Sequence, residues 1–230
     1  MKLNKQKKNN FKERLILKSK LIKTLIIIVL IMLIVLVLTK ILKIQNIFLK
    51  MMYPLKYSEY VYKYSEEYEV DPLLSFAIIR AESNFDENAL STSNAIGLMQ
   101  LLENTAKEIA IDYLEMKNFV KDDLYNPELN IKIGLKYFSN LLNEYDYSYN
   151  LALAAYNGGT GNVKKWIEQG IISNTGDNIE KIPFKETNNY VRKINRNYKI
   201  YQKLYSKWKN DLCILQRPFF YGENANSMRE

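Results

Sequence analysis

Glu82 is the residue whose setting suggests chemistry. It closes the run Leu73-Leu74-Ser75-Phe76-Ala77-Ile78-Ile79-Arg80-Ala81 and is followed by Ser83-Asn84-Phe85. A carboxyl at the C-terminal end of an apolar helix meets the negative end of the helix dipole, and burial there disfavours its ionised form. Both effects keep a proton on it toward neutral pH. Taken alone, however, Glu82 is one glutamate on one helix, and most such residues are solvated surface. Other chemistries are scarce, because the 230 residues include no histidine and a single cysteine, Cys213. That excludes a Ser/His/Asp or Cys/His nucleophile, a His-ligated zinc, and a cysteine-rich zinc or iron–sulfur site. Cys213 has no disulfide partner in the chain. Catalysis is left to carboxylate, Lys, Tyr or Ser, with no metal and no cofactor expected.

Three blocks shift the balance for Glu82. The first is Glu82-Ser83-Asn84-Phe85 with Ala89, Ser91 and Ala95-Ile96-Gly97-Leu98-Met99-Gln100. The second is Ala152-Leu153-Ala154-Ala155-Tyr156-Asn157-Gly158-Gly159 with Val163 and Trp166. The third is Pro183-Phe184, Glu186-Thr187 and Tyr190-Val191. In this order and spacing they resemble the signature of lytic transglycosylases of the soluble-lytic type, which have a lysozyme-like fold, and the resemblance spans about residues 57–208. Two positions depart from the family pattern. Asn94 stands where a glycine is usual, and Asn tolerates the left-handed backbone best after Gly. Glu103 stands where a proline is usual, and Thr105-x-x-Glu108 is a candidate capping box for the helix that follows.

The resemblance implies that Glu82 is the catalytic acid and that Ser91, Met99, Gln100, Tyr156, Asn157, Glu186 and Tyr190 bind substrate. Met99, Tyr156 and Tyr190 are the candidate apolar walls around the carboxyl. It also implies a reaction: Glu82 protonates the leaving oxygen of a β-1,4 bond between N-acetylmuramic acid and N-acetylglucosamine in peptidoglycan, then takes back a proton as the 6-hydroxyl closes on the anomeric carbon. The product is a 1,6-anhydro end, and no second carboxylate is needed, unlike ordinary glycosidases. Some of these residues have a structural alternative. Ser83 and Ser91 are equally turn caps, Gln100 a partner of buried backbone, and Glu186 a first-turn charge complementing a helix dipole. A lysozyme-type muramidase and a non-catalytic glycan-binding module of a cell-envelope assembly are the rival functions. Ser206-Lys207-Trp208-Lys209 has the Ser-x-x-Lys spacing of penicillin-binding enzymes, but no Lys-Thr-Gly accompanies it.

The elements that must position these residues are helices. Asp71-Pro72 and Asn126-Pro127 each put an N-cap acceptor before a proline at the first helical position. Leu151 to Tyr156 is a short apolar helix stopped by Gly158-Gly159. Tyr190, Ile194, Tyr198, Tyr201, Tyr205 and Trp208 fall on one face of a long helix, as core or surface stripe. The expected fold class is all-α: a lysozyme-like catalytic domain preceded by one N-terminal transmembrane helix.

That helix is marked by charge and hydropathy. Residues 1–23 hold nine of the 33 bases and one of the 25 acids, and so carry the whole formal charge of +8. The remainder is neutral, which argues against nucleic acid as a partner. Leu25 to Leu38 then runs without a polar side chain, and the flanking residues extend it to the length of a spanning helix. A cleaved signal peptide needs small residues at its cleavage site, yet no Ala precedes Ala77 and no Gly precedes Gly97. The reading is a basic cytoplasmic tail (1–23), a transmembrane signal anchor (24–43), a juxtamembrane connector (44–56), the lysozyme-like domain (57–209) and a C-terminal tail without assigned role (210–230). The N-terminus is expected in the cytoplasm and the catalytic domain outside the cell membrane, acting on peptidoglycan strands.

Overall fold

The computed structural model describes the backbone of residues 2–220 and the side chains of residues 20, 21 and 23–205. Most side chains of the basic tail, the Ser206–Lys209 run, Trp208, Cys213 and residues 221–230 lie outside that description. The chain divides into two units, residues 1–52 and 53–230.

The first unit is one helix, α1 (Lys2–Met52). Its stretch from Lys23 to Met52 is long and apolar enough to cross a membrane, and Leu25 through Leu38 are exposed on every side. A helix that is apolar all round has no solvated face to offer water. The two hydroxyls of the Lys23–Met52 stretch bond within the helix, Thr24 to the Lys20 carbonyl at 3.0 Å and Thr39 to the Leu36 carbonyl at 2.9 Å, as a span without water requires. Residues 44–52 continue the helix, because neither Gly nor Pro interrupts them. It ends ahead of Pro54, whose ring disfavours helical backbone at Tyr53.

The second unit is a helical domain built around α3 (Pro72–Glu82). Asp71 Oδ1 accepts the Leu73 N–H at 2.8 Å and Pro72 takes the first helical position. Leu73 to Ile79 are all buried, so this helix is surrounded. It packs against α2 (Ser58–Glu67) and most extensively against α8 (Lys185–Phe220). Asn126 Oδ1 caps α5 (Pro127–Glu144) through the Leu129 N–H at 3.1 Å. Helix α5 packs on α2 and on α6 (Tyr149–Gly158), whose Leu151–Ala155 run is buried. Gly159, at φ +83°, ends α6 and lets α7 (Thr160–Glu168) start at the next residue.

Among the described residues there are no strands, only the isolated bridges Leu90–Ile96 and Ile96–Leu101 in the long loop after α3. Asn94 holds the turn of this loop at φ +62°. The following helix, α4 (Glu103–Glu108), corrects one expectation. It begins at Glu103 with no side-chain cap, so Thr105 lies inside the helix and caps nothing. Glu103 occupies the first helical position, the place a proline also favours, and an acidic residue there complements the dipole.

Within the stripe of α8, Tyr190, Ile194, Tyr201 and Tyr205 are core and Tyr198 is partly buried against it. Tyr201 is fully buried, stacked on Phe76 and edge-on to Tyr53. The hydroxyls of Tyr198, Tyr201 and Tyr205 donate to Asp71 Oδ2 at 3.0 Å, the Pro54 carbonyl at 3.0 Å and the Tyr53 carbonyl at 2.8 Å. Helix α8 thereby ties down both the cap of α3 and the start of the domain.

Candidate active site

Glu82 is the last residue of α3, and α8 reaches it from across the fold. The Tyr190 hydroxyl donates to Glu82 Oε1 at 2.5 Å. One helical turn on, Lys193 Nζ donates to the Ala81 carbonyl at 2.6 Å, satisfying one of the orphan carbonyls at the end of α3. Burial pushes the Glu82 carboxyl up to about 7, against the opposing pull of the Tyr190 hydrogen bond and the Lys193 charge. The Tyr190 and Tyr156 phenols are held well above their ordinary value, first by burial and then by the charge on Glu82. They therefore remain donors through the pH range in which Glu82 gains and loses its proton. The arrangement is a carboxyl able both to give and to accept a proton near neutrality, with a phenol steadying its ionised form.

The loop from Ser83 to Leu102 is built by hydrogen bonds onto this turn. Ser83 Oγ donates to the Leu98 carbonyl at 2.8 Å and accepts the Phe85 N–H at 3.1 Å. Ser91 Oγ accepts the N–H groups of Ser93 and Ala95 at 3.2 and 2.9 Å, the turn-capping alternative. Gln100 Nε2 donates to the carbonyls of Ala89 and Gly97 at 3.1 and 3.0 Å. Its amide nitrogen thus fastens the loop, while the residue still lines a cavity of about 300 Å³ with Thr105, Tyr137, Tyr156, Asn157 and Gly158. Tyr156 joins the cavity to the carboxyl: its hydroxyl donates to the Met99 carbonyl at 2.8 Å, and its phenol feels the Glu82 charge.

Of the residues read from the sequence, Gln100, Tyr156 and Asn157 share that cavity and Tyr190 touches Glu82. Met99 is fully buried, its side chain packed against Gly134, where a Cβ would lie 2.5 Å from its sulfur, and its backbone carbonyl accepts from Tyr156. Glu186 is exposed in the first turn of α8 with no hydrogen bond or ion pair among the described residues. The block it belongs to works through neighbours. Thr187 is buried against Gly158, and Val191 lies in the core.

Two positioning residues escaped the sequence reading. Asn130, fully buried on α5, accepts the Met99 N–H at 2.8 Å and donates to the carbonyls of Ile96 and Leu124 at 3.0 and 2.8 Å. Gly97, at φ +76°, passes so close that a Cβ would meet the Asn130 amide at 2.3 Å. The available signal was an asparagine on the apolar face of α5, between Leu129 and Ile131. Lys193 was signalled by its position one turn beyond Tyr190.

The sequence matches the family model for the transglycosylase SLT domain over residues 59–177, which ends before Tyr190. It is 33% identical over 169 residues to the membrane-bound lytic murein transglycosylase C of Edwardsiella ictaluri, covering 65% of this chain and 47% of that one. It is 30% identical over 148 residues to the soluble lytic murein transglycosylase of Escherichia coli K12, covering 64% of this chain and 23% of that one. The chain thus spans between about a quarter and half of the length of these curated relatives. Among solved structures, the lytic transglycosylase Slt of Pseudomonas aeruginosa, determined as an inactive Glu-to-Gln mutant, superposes with a TM-score of 0.62 at 30% identity, covering 67% of this chain and 25% of that one. The 70 kDa soluble lytic transglycosylase of Escherichia coli gives 0.61 at 28% identity over the same shares.

Proposed function

The chain belongs to the transglycosylase SLT domain family, and from that premise we propose that it is a membrane-anchored lytic transglycosylase of peptidoglycan with Glu82 as its single acid and base. The observation that carries this reading is the Glu82 carboxyl, poised at about 7 and bonded by Tyr190. Among the described residues the polar groups that bear on Glu82 are Tyr190, Lys193 and Tyr156, none a carboxylate. That setting favours one carboxyl doing both proton transfers over a pair dividing them.

Glu82 gives its proton to the glycosidic oxygen as the bond to the anomeric carbon of N-acetylmuramic acid breaks and positive charge spreads over the sugar ring. The carboxylate left behind is stabilised by the Tyr190 hydroxyl and the nearby Lys193 ammonium. It then removes the proton of the 6-hydroxyl, whose oxygen closes on the anomeric carbon. The ring becomes a 1,6-anhydro sugar, Glu82 ends protonated, and no water is consumed. Gln100, Tyr156 and Asn157 are the proposed sugar contacts. Ser91 and Met99 support the loop that presents them.

The anchor is residues 24–43, with the basic residues of 1–23 holding the N-terminus in the cytoplasm and the domain outside. The deciding experiment incubates the protein with purified cell-wall sacculi and reads the products by mass spectrometry. Ends lighter by one water than reducing ends are expected. Reducing ends would make it a muramidase, and binding without cleavage a glycan-binding module.

A further inference from the structure

Helix α8 does not end where the core does. Tyr201 and Tyr205 are its last described core residues, and their hydroxyls donate to the carbonyls of Pro54 and Tyr53. Tyr53 is the first residue of the helical unit and follows Met52, the last of α1. From there the backbone of α8 continues as helix through residues 206–220, roughly 22 Å at 1.5 Å per residue. The side chains of these residues lie outside the description, but backbone and sequence give their register. Trp208, Leu212, Leu215 and Phe219 follow Tyr201 and Tyr205 at intervals of 4, 3, 4, 3 and 4, so the stripe that is core within the domain extends along one face of the extension. Lys207 and Lys209 stand about 100° to either side of Trp208, and Arg217 about 180° from it. Asp211 is the one acid among residues 206–220.

We infer that this extension is a second membrane contact, an amphipathic helix lying in the outer interface of the bilayer with acyl chains and anionic headgroups as its partners, an inference that rests on residues 24–43 being the anchor. Placement favours the bilayer over any other occupant. Residues 44–52 amount to roughly 13 Å of helix, and Tyr205 is bonded to the residue that follows them. The extension therefore starts no farther from the lipid than about its own length, whatever angle the domain takes. In water its stripe would be an exposed apolar patch, whereas lysines flanking a tryptophan-containing stripe suit a helix that lies in the interface. Three bases against one acid complement anionic headgroups. Helix α8 also brings Tyr190 to Glu82, so a lipid contact at its far end sets the height of the site above the bilayer.

The test reconstitutes the full chain in vesicles of phosphatidylcholine and phosphatidylglycerol, mixed at roughly 3:1 to supply anionic headgroups. A spin label is carried by Cys213, the chain's one cysteine, or, with Cys213→Ser in place, by Leu215→Cys on the stripe or Ile34→Cys in the span. Collisions with oxygen and with a water-soluble nickel chelate report the depth of each label. The Leu215→Cys label should lie roughly 5–10 Å below the headgroup level, open to oxygen and shielded from the chelate, while the Cys213 label, about 160° away around the helix, meets the chelate. Lys207→Glu with Lys209→Glu sets acids against anionic headgroups and should raise chelate collisions at Leu215→Cys at least roughly 3-fold; unchanged depth there would rule out the headgroup contact. A Leu215→Cys label open to the chelate, with the Ile34→Cys label in lipid, overturns the inference and leaves the anchor standing. Shielding from both agents with spin–spin broadening also overturns it, because a second copy of the chain would then cover the stripe. An Ile34→Cys label open to the chelate would sink the anchor reading and the inference with it.

Discussion

With its carboxyl at about 7, Glu82 is half protonated near neutrality, and two measurements follow from that. The first is stability. The folded carboxyl titrates above the ordinary 4.5, so between those values the native state holds more protons than the unfolded one. The fold therefore loses stability as pH rises through that window. The loss is absent below about 4.5 and complete above about 7, ~3 kcal/mol from the size of the shift. Glu82→Gln carries no such penalty, so its melting temperature should exceed the wild type's at pH 8 and converge on it near pH 4. Cleavage of sacculi by the same variant should fall by roughly 10²-fold to 10⁴-fold, and retention of most activity would remove Glu82 from the reaction. The second measurement concerns Tyr190, whose hydrogen bond favours the ionised carboxyl. Tyr190→Phe should move the alkaline limb of the kcat/KM profile to higher pH while lowering its plateau. An unmoved limb would show that the phenol is only packing.

The turn that carries Glu82 depends on how the loop after α3 is held by α5 and α6. Asn130 supplies three bonds at 2.8–3.0 Å from one side, and Tyr156 one at 2.8 Å from the other. Asn130→Leu takes the partner from the buried Met99 N–H and the Leu124 carbonyl, while the Ile96 carbonyl keeps the Leu101 N–H at 3.0 Å, so chemical denaturation should show a loss of at least about 2 kcal/mol. Tyr156→Phe keeps the ring but orphans the Met99 carbonyl, so a loss of about 1 kcal/mol should accompany its lower turnover. This couples stability to activity at Tyr156, a link hidden while the residue is read only as a sugar contact. Unchanged stability in Asn130→Leu would mean that the loop is held by Ser83, Gln100 and Tyr156 without it.

At the scale of the molecule the chain joins an apolar helix to a helical domain whose surface carries the site. Hydrophobic insertion is insensitive to ionic screening, so the full-length protein should stay with membranes through high-salt and carbonate washes. Recovery of a shortened soluble form as the main species would show that residues 24–43 are removed as a signal. The formal charge of +8, confined to residues 1–23, should orient the helix, and protease added outside should digest the domain and spare the tail.

The sequence by itself determined the helices, their starts at Pro72 and Pro127, the apolar span and the candidacy of Glu82, because each is written in neighbouring residues: a cap before a proline, an unbroken apolar run, a motif at fixed spacing. Only the tertiary structure decided what surrounds the carboxyl. Tyr190 stands 108 positions from Glu82 and Lys193 112 from Ala81, distances over which no local periodicity reports a contact. Asn130 reads as a misplaced polar residue until the loop folds over it and presents one N–H and a carbonyl within reach. The absence of a side chain at Gly134 opens the core position that Met99 fills, which the loop's own sequence could not disclose. Composition and spacing declare which groups exist and which face they share. Whether a carboxyl keeps its proton depends on burial and on donors brought from the far end of the chain.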